Sequence, residues 1–216
     1  MTVVYFTRHG ESLLNLAERN GDPEPTDGDH LSERGWEQAR GVGKRLRGEG
    51  IERIIASPYG RAQETAQGIG EVLDLPFDTD EDLHEAVQSD AYRAVSPNFN
   101  GEGHITWMRT SPPDHAEPGA ESFNAILARV DRVMARLEER VESERILCVS
   151  HWGFIHYFTG RALFREAFSP AHLPALYRMG HINTGITIFQ QRRDYFIEGE
   201  RYDGWALLTW NDQAHL

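Results

Sequence analysis

Three short apolar runs, TVVYFTR (2–8), IERIIAS (51–57) and RILCVSH (145–151), punctuate the chain, with long segments of helical periodicity between them. Near-continuous runs of this kind suit strands buried on both faces, as in parallel sheets. Parallel neighbours need crossovers of a dozen residues or more, and the intervening sequence supplies helices for them. LSERGWEQARGVGKRLRGEG has Ser32 as an N-cap, puts Trp36, Ala39, Gly43 and Leu46 on one face, and closes on Gly48 and Gly50. A helix from Arg61 turns Ala62, Thr65, Ala66, Ile69 and Leu73 inward, and residues 76–85 form a short extended segment ending in DLHE. In ESFNAILARVDRVMARLEERV, the residues Phe123, Ile126, Leu127, Val130, Val133, Met134, Leu137 and Val141 recur with helical period. A further helix starts after His151, while TGITIFQ, YFIEGERY and WALLTW read as short strands joined by turns. The expected class is α/β: a three-layer sandwich, with a mostly parallel central sheet and helices on both faces.

A chain of 216 residues fits one such domain, spanning 1–216. One stretch resists regular structure: residues 96–121 contain four prolines and three glycines and show no sustained period. Loops this long in compact domains usually carry function. Phe99, His104, Trp107, Arg109 and His115 favour a partly packed lid or substrate wall over a free linker, so a lid-like insertion is expected at about 86–120.

Twenty-two Lys+Arg against 34 Asp+Glu give a formal charge of −12. Such a surface repels nucleic-acid phosphates and anionic lipid, so neither is an expected partner. Any phosphate site must then be built from a few local cations. The single cysteine, Cys148, falls within an apolar run and reads as a buried strand residue. No disulfide framework, leader segment or membrane-length apolar run is visible, and a cytoplasmic location is expected. The sequence does not decide the oligomeric state.

In open parallel sheets the ligand crevice lies outside the carboxyl ends of the strands. Arg8 and His9 end the first run, Arg61 follows the second, Glu85 closes the extended segment and His151 ends RILCVSH. Each alone has a bland explanation: a solvated strand end, a packed imidazole, one acid among many. Their shared position at one end of the sheet does not. Two arginines, two histidines and a carboxylate suit phosphoryl transfer, in which negative charge spreads over three equatorial oxygens. Arginine forks can grip those oxygens, a neutral histidine is a competent nucleophile near neutral pH, and a carboxylic acid can protonate the departing alkoxide. No Asp/Glu cluster, P-loop or His-x-x-x-His spacing points to a metal, so none is expected, nor any other cofactor.

RHGES at 8–12 resembles the signature of the histidine phosphatase superfamily, the phosphoglycerate mutase-like enzymes. The resemblance continues through RHGESLLN to Asn15, LSERGWEQA (31–39), SPYGRAQETA (57–66), LHE (83–85), AESFNAILARV, VSHWGFI and INTGI (182–186). It implies a phosphoglycerate mutase-like fold, transient phosphorylation of His9, and a phosphate pocket of Arg8, Arg61 and His151 with Asn15 as a further donor. Glu85 is implied as acid in the first step and base in the second. Gly10 would keep side-chain bulk away from the phosphate. The implied activity is metal-independent hydrolysis of a small phosphorylated substrate; a phosphoglycerate-type mutase on the same residues and a non-catalytic phospho-ligand binder are the alternatives. For attack and phosphate binding to coexist, His9 must be unprotonated while His151 donates an N–H. Glu121 and Ser122 match a position behind the site, with helix capping as the alternative role. Trp152 stands where the family often has glycine, so its indole either narrows the pocket or packs beneath it. The continuation after Glu85, AVQSDAY, departs from the family's usual glycine- and tryptophan-rich segment and puts a standard sugar-phosphate specificity in doubt.

Overall fold

A computed structural model describes residues 1–88, 112–139 and 144–216 of the chain. Among these residues the strands are β1 (Val3–Arg8), β2 (Arg53–Ala56), β3 (Phe77–Thr79), β4 (Arg145–Ser150), β5 (Ile186–Ile197) and β6 (Glu200–Asp212). They form one sheet in the order β3-β2-β4-β1-β5-β6. The first four pair in parallel; β5 runs antiparallel to β1, and β6 antiparallel to β5. The α-helices are α1 (Leu13–Asn20), α2 (Glu33–Leu46), α3 (Gly60–Leu73), α4 (Phe123–Glu138), α5 (Trp152–Phe164) and α6 (Leu173–Arg178).

Alternation along the central strands divides the core in two. Val4, Phe6, Ile146 and Cys148 face one way and pack with Ile126, Val130 and Val133 of α4 and Phe154 and Phe158 of α5. Tyr5, Leu147 and Val149 face the other way and pack with Ala39, Val42 and Leu46 of α2 and Ala62, Ala66 and Ile69 of α3. Successive strand residues point to opposite faces, so two apolar faces require two helical layers. The three-layer α/β architecture read from the sequence is the one observed. Ser32 caps α2 by accepting from Gly35 N–H, and Ser122 caps α4 through Ala125 N–H.

Register places the site. Arg8 pairs with Ser150, and Ala56 with Val149, so β2, β4 and β1 finish together at their carboxyl ends. Ser57, His151 and His9 then leave three adjacent strands side by side.

The sequence reading needs correction at three places. YFIEGERY is not a strand: it spans the turn between β5 and β6, where Glu198 and Gly199 have φ of +51° and +89°. The flanking strands are 12 and 13 residues long rather than short. The chain reverses at 198–199, so the residues on either side belong to two different strands. The helices α1 and α6 were not anticipated, since α1 buries only Ala17 and α6 is six residues long. Of the expected lid, Arg93, Phe99, His104, Trp107 and Arg109 lie outside the described residues, as does Val141 of the helical repeat. His115 is exposed, 3.7 Å from Glu117. Among the described residues no helix is long and apolar enough to cross a membrane.

Candidate active site

The His9 N–H extends the β1–β4 ladder by donating to Ser150 O at 3.0 Å, which aims the imidazole out of the sheet end. Its Nδ1 lies 2.8 Å from Gly10 O, and Arg61 Nε donates to its Nε2 at 3.2 Å. A carbonyl only accepts and a guanidinium only donates, so the hydrogen sits on Nδ1 and the lone pair on Nε2. Burial, then the charges of Arg61 and Arg8, hold the His9 pKa well below the usual histidine value.

His151 follows the same logic. Arg61 Nη2 donates to its Nδ1 at 3.2 Å, leaving Nε2–H to donate to Ser57 Oγ at 2.7 Å. Burial, then Arg61, also push its pKa well down. The two rings stand 5.2 Å apart. Both imidazoles thus accept from one guanidinium, and they differ in their remaining nitrogens: His9 places its N–H on Gly10 O, while His151 donates an N–H to Ser57.

Arg61 is fully engaged. Besides the two histidines, it reaches Asp29 Oδ1 through Nη1 at 2.5 Å and lies over the Tyr59 ring at 4.9 Å. Asp29 also accepts from Gly60 N–H, tying it to the first turn of α3. Arg8 donates through Nη1 to His181 O at 3.0 Å, whereas its buried Nε–H has no hydrogen-bond partner. Burial lowers its pKa, and Glu85 is the largest opposing influence.

The Glu85 carboxylate sits on the N-terminus of α5. Gly153 N–H donates to Oε2 at 3.1 Å, and Phe154 N–H and Ala86 N–H donate to Oε1 at 3.2 and 2.8 Å. Helix N-termini offer unpaired N–H groups and favour negative charge. Gly153 is required there, because a Cβ would collide with Glu85 Oε1. The glycine displaced one place by Trp152 thus has a definite task.

Several expectations are refined. Gly10 does not leave open space: a Cβ would lie 2.6 Å from Gly35 O, so the glycine admits the start of α2. Its N–H donates to Thr65 Oγ1, which in turn donates to Arg61 O, joining the strand end to α3. The Trp152 indole packs against His156 and Tyr177, ring centroids 4.3 Å away and the planes tilted by 47°, the packing alternative of the two. Asn15 completes the capping box of α1 with Ser12, and its Nδ2 donates to Glu18. Ser122 is the helix cap, and Glu121 instead pairs with Arg129.

Asn183 was missed. Its Nδ2 donates to His9 O at 3.0 Å, to Gly10 O at 3.3 Å and to Asn15 Oδ1 at 3.1 Å. The next residue, Thr184, is buried at φ +60°, an unusual backbone for a β-branched residue, and its N–H donates to Arg8 O. INTGI was the available signal, a polar pair before a strand. Ser57 opens the SPYGRAQETA stretch, but nothing in the sequence marked its hydroxyl, and Asp29 had no signal.

The family model described as "Histidine phosphatase superfamily (branch 1)" matches residues 4–213. The chain belongs to the histidine phosphatase superfamily. A probable phosphoglycerate mutase of Salmonella paratyphi B is 31% identical over 218 residues, covering 100% of this chain and 95% of that protein. An adenosylcobalamin/alpha-ribazole phosphatase of Salmonella typhimurium is 28% identical over 172 residues, 78% of this chain and 83% of its own. Among solved structures, a mycobacterial glucosyl-3-phosphoglycerate phosphatase superposes with a TM-score of 0.74 at 24% identity, covering 99% of this chain and 100% of that one. The last likeness is one of fold. Phosphatases and mutases thus stand among the superfamily relatives of this chain.

Proposed function

We propose that the chain is a metal-independent phosphomonoesterase that works through a phosphohistidine at His9, within a single domain carrying a lid-like insertion at about 86–120. The observation that carries this reading is the placement of the His9 ring: Nδ1 lies against Gly10 O, which only accepts, so the Nε2 lone pair faces the Arg61 guanidinium. In the first step Glu85 is protonated in the substrate complex, where the arriving phosphate's negative charge opposes its ionisation; Nε2 attacks phosphorus, the bond to the leaving oxygen breaks, and Glu85 gives that proton to the departing alkoxide. In the second step water attacks the phosphoryl group, the N–P bond breaks, Glu85 takes a proton from the water, and inorganic phosphate leaves. Arg8 and Arg61 balance the equatorial oxygens. The unpartnered Arg8 Nε–H gains an acceptor when a phosphate arrives. Arg61 trades its contacts with the two imidazoles for phosphate oxygens. His151 then faces an anion in place of a guanidinium, which favours an added proton on Nδ1 and turns it into a donor.

EDTA-treated enzyme is expected to hydrolyse p-nitrophenyl phosphate at the untreated rate. Loss of activity that a divalent cation restores contradicts the metal-free mechanism. The mutase reading draws support from the full-length similarity to a probable phosphoglycerate mutase. It predicts transfer of labelled phosphate to an added phosphoglycerate acceptor, where the phosphatase reading predicts release to water.

A further inference from the structure

Arg129 lies on the apolar face of α4, is 2% exposed, and carries a charge among Ile126, Val130 and Val133. A buried guanidinium is tolerated only when its donors are satisfied. Nε and Nη2 form a fork onto the two oxygens of Glu121 at 3.0 and 2.8 Å. Nη1 donates at 2.7 Å to both Asp82 O and His84 O, and Nη2 reaches Glu85 O at 3.5 Å. Ser150 Oγ donates to the one intervening carbonyl, that of Leu83, at 2.7 Å. Four consecutive carbonyls, 82 to 85, are therefore held by side chains rather than by helix or sheet partners. Glu121 also joins the chain beyond Glu85: it accepts from Val87 N–H at 3.0 Å, and its own N–H donates to Val87 O at 2.9 Å.

We propose that Arg129, charge-balanced by Glu121, is a positioning residue that fixes the backbone of 82–87 so that the Glu85 carboxylate meets the leaving-group oxygen. The proposal rests on the reading of Glu85 as proton donor. A lysine at 129 keeps the charge but not the planar fork that spans Glu121 and two carbonyls together. The irregular segment loses part of its grip, and Glu85 shifts while His9, Arg8 and Arg61 stay on their own strands and helix.

The test compares kcat/KM for p-nitrophenyl phosphate, whose leaving group departs without a proton, with that for a simple alkyl phosphate, which needs one. General acid catalysis is worth about 10²–10⁴-fold, so a misplaced acid costs a sizeable part of that on the alkyl substrate alone. Arg129→Lys is expected to lose about tenfold or more on the alkyl phosphate and less than about threefold on p-nitrophenyl phosphate. Added to Glu85→Gln, it should cost little further, because the group it positions has gone. Glu121→Gln, which retains shape and some hydrogen bonding, should show the same selectivity in milder form, and serves if Arg129→Lys does not fold. Equal losses on both substrates, or full additivity with Glu85→Gln, overturn the proposal. A flat profile for Glu85→Gln itself removes Glu85 as the acid and the role of Arg129 with it; a selective Glu85→Gln beside a flat Arg129→Lys removes Arg129 alone.

Discussion

Among the described residues, two pairs of buried histidines differ in what surrounds them. His9 and His151 are 5.2 Å apart by ring centroids, and every ring nitrogen has a partner. His156 and His181 are 6.4 Å apart, and each leaves one buried ring nitrogen without a hydrogen bond, Nε2 and Nδ1 respectively. Burial is the leading cause of a lowered pKa in all four, to about 4 for His156 and about 3 for His181. Burial and a displaced pKa therefore do not separate a reacting imidazole from a packed one. Arg8 acts on all four, so the separating feature is the rest of the company: Arg61 donates to both rings of the first pair, whereas Trp210 and Tyr177 pack around the second.

The contrast breaks most sharply at the proposed nucleophile, His9. His9→Ala should lower turnover by more than about 10⁴-fold, as removal of a nucleophile does elsewhere; measurable hydrolysis by that variant at a rate near the parent's would move the chemistry to another residue. Arg61→Ala, which takes a cation from both imidazoles, should cost about 10²–10³-fold in kcat. Because its guanidinium is a cause of the low pKa of both His9 and His151, the same variant should also raise the lower limb of the pH–rate profile. An unmoved limb would show that Arg61 does not set their protonation and leave it to burial and Arg8.

Stability reports on both pairs together. Each of the four histidines has a folded pKa below its unfolded value of about 6.5, so the unfolded chain binds more protons once pH falls below that value. Stability should be flat above about pH 7 and fall on acidification below about 6.5, by up to about 1.4 kcal/mol per pH unit per histidine. Urea melts between pH 7 and 4 measure the slope, and a pH-independent midpoint would contradict the buried neutral assignments. His156→Phe should reduce that slope by about one proton while changing kcat less than about threefold, the smallest effect of the set. A large loss of activity would place the second pair in the machinery.

How much of this was legible in the sequence follows from the range of each interaction. The strand runs, the cap Ser32 and the apolar faces of α2, α3 and α4 depend on local pattern and could be read directly; the cap of α4 was open between Glu121 and Ser122. The convergence of Arg8, His9, Arg61, Glu85 and His151 follows from parallel topology, because one end of a parallel sheet collects one end of every strand. What escaped depends on tertiary partners. Arg129 was not singled out, because its acceptors are the carbonyls of 82 and 84, more than forty positions away. Asn183 holds the His9 and Gly10 carbonyls across 174 and 173 positions of sequence. Gly10 and Gly153 were visible as glycines, but only the approach of Gly35 and of the Glu85 carboxylate explains them.

The most direct test of the central claim is to mix enzyme with a phosphomonoester, quench in alkali within the first turnovers, and map the phosphorylated peptide by mass spectrometry. The account predicts one phosphoryl group on the His9 imidazole, stable in base, released by acid, and absent from His9→Ala. Turnover with no phosphoryl group on the protein at any quench time, or with the label on His151 or another residue, would contradict it.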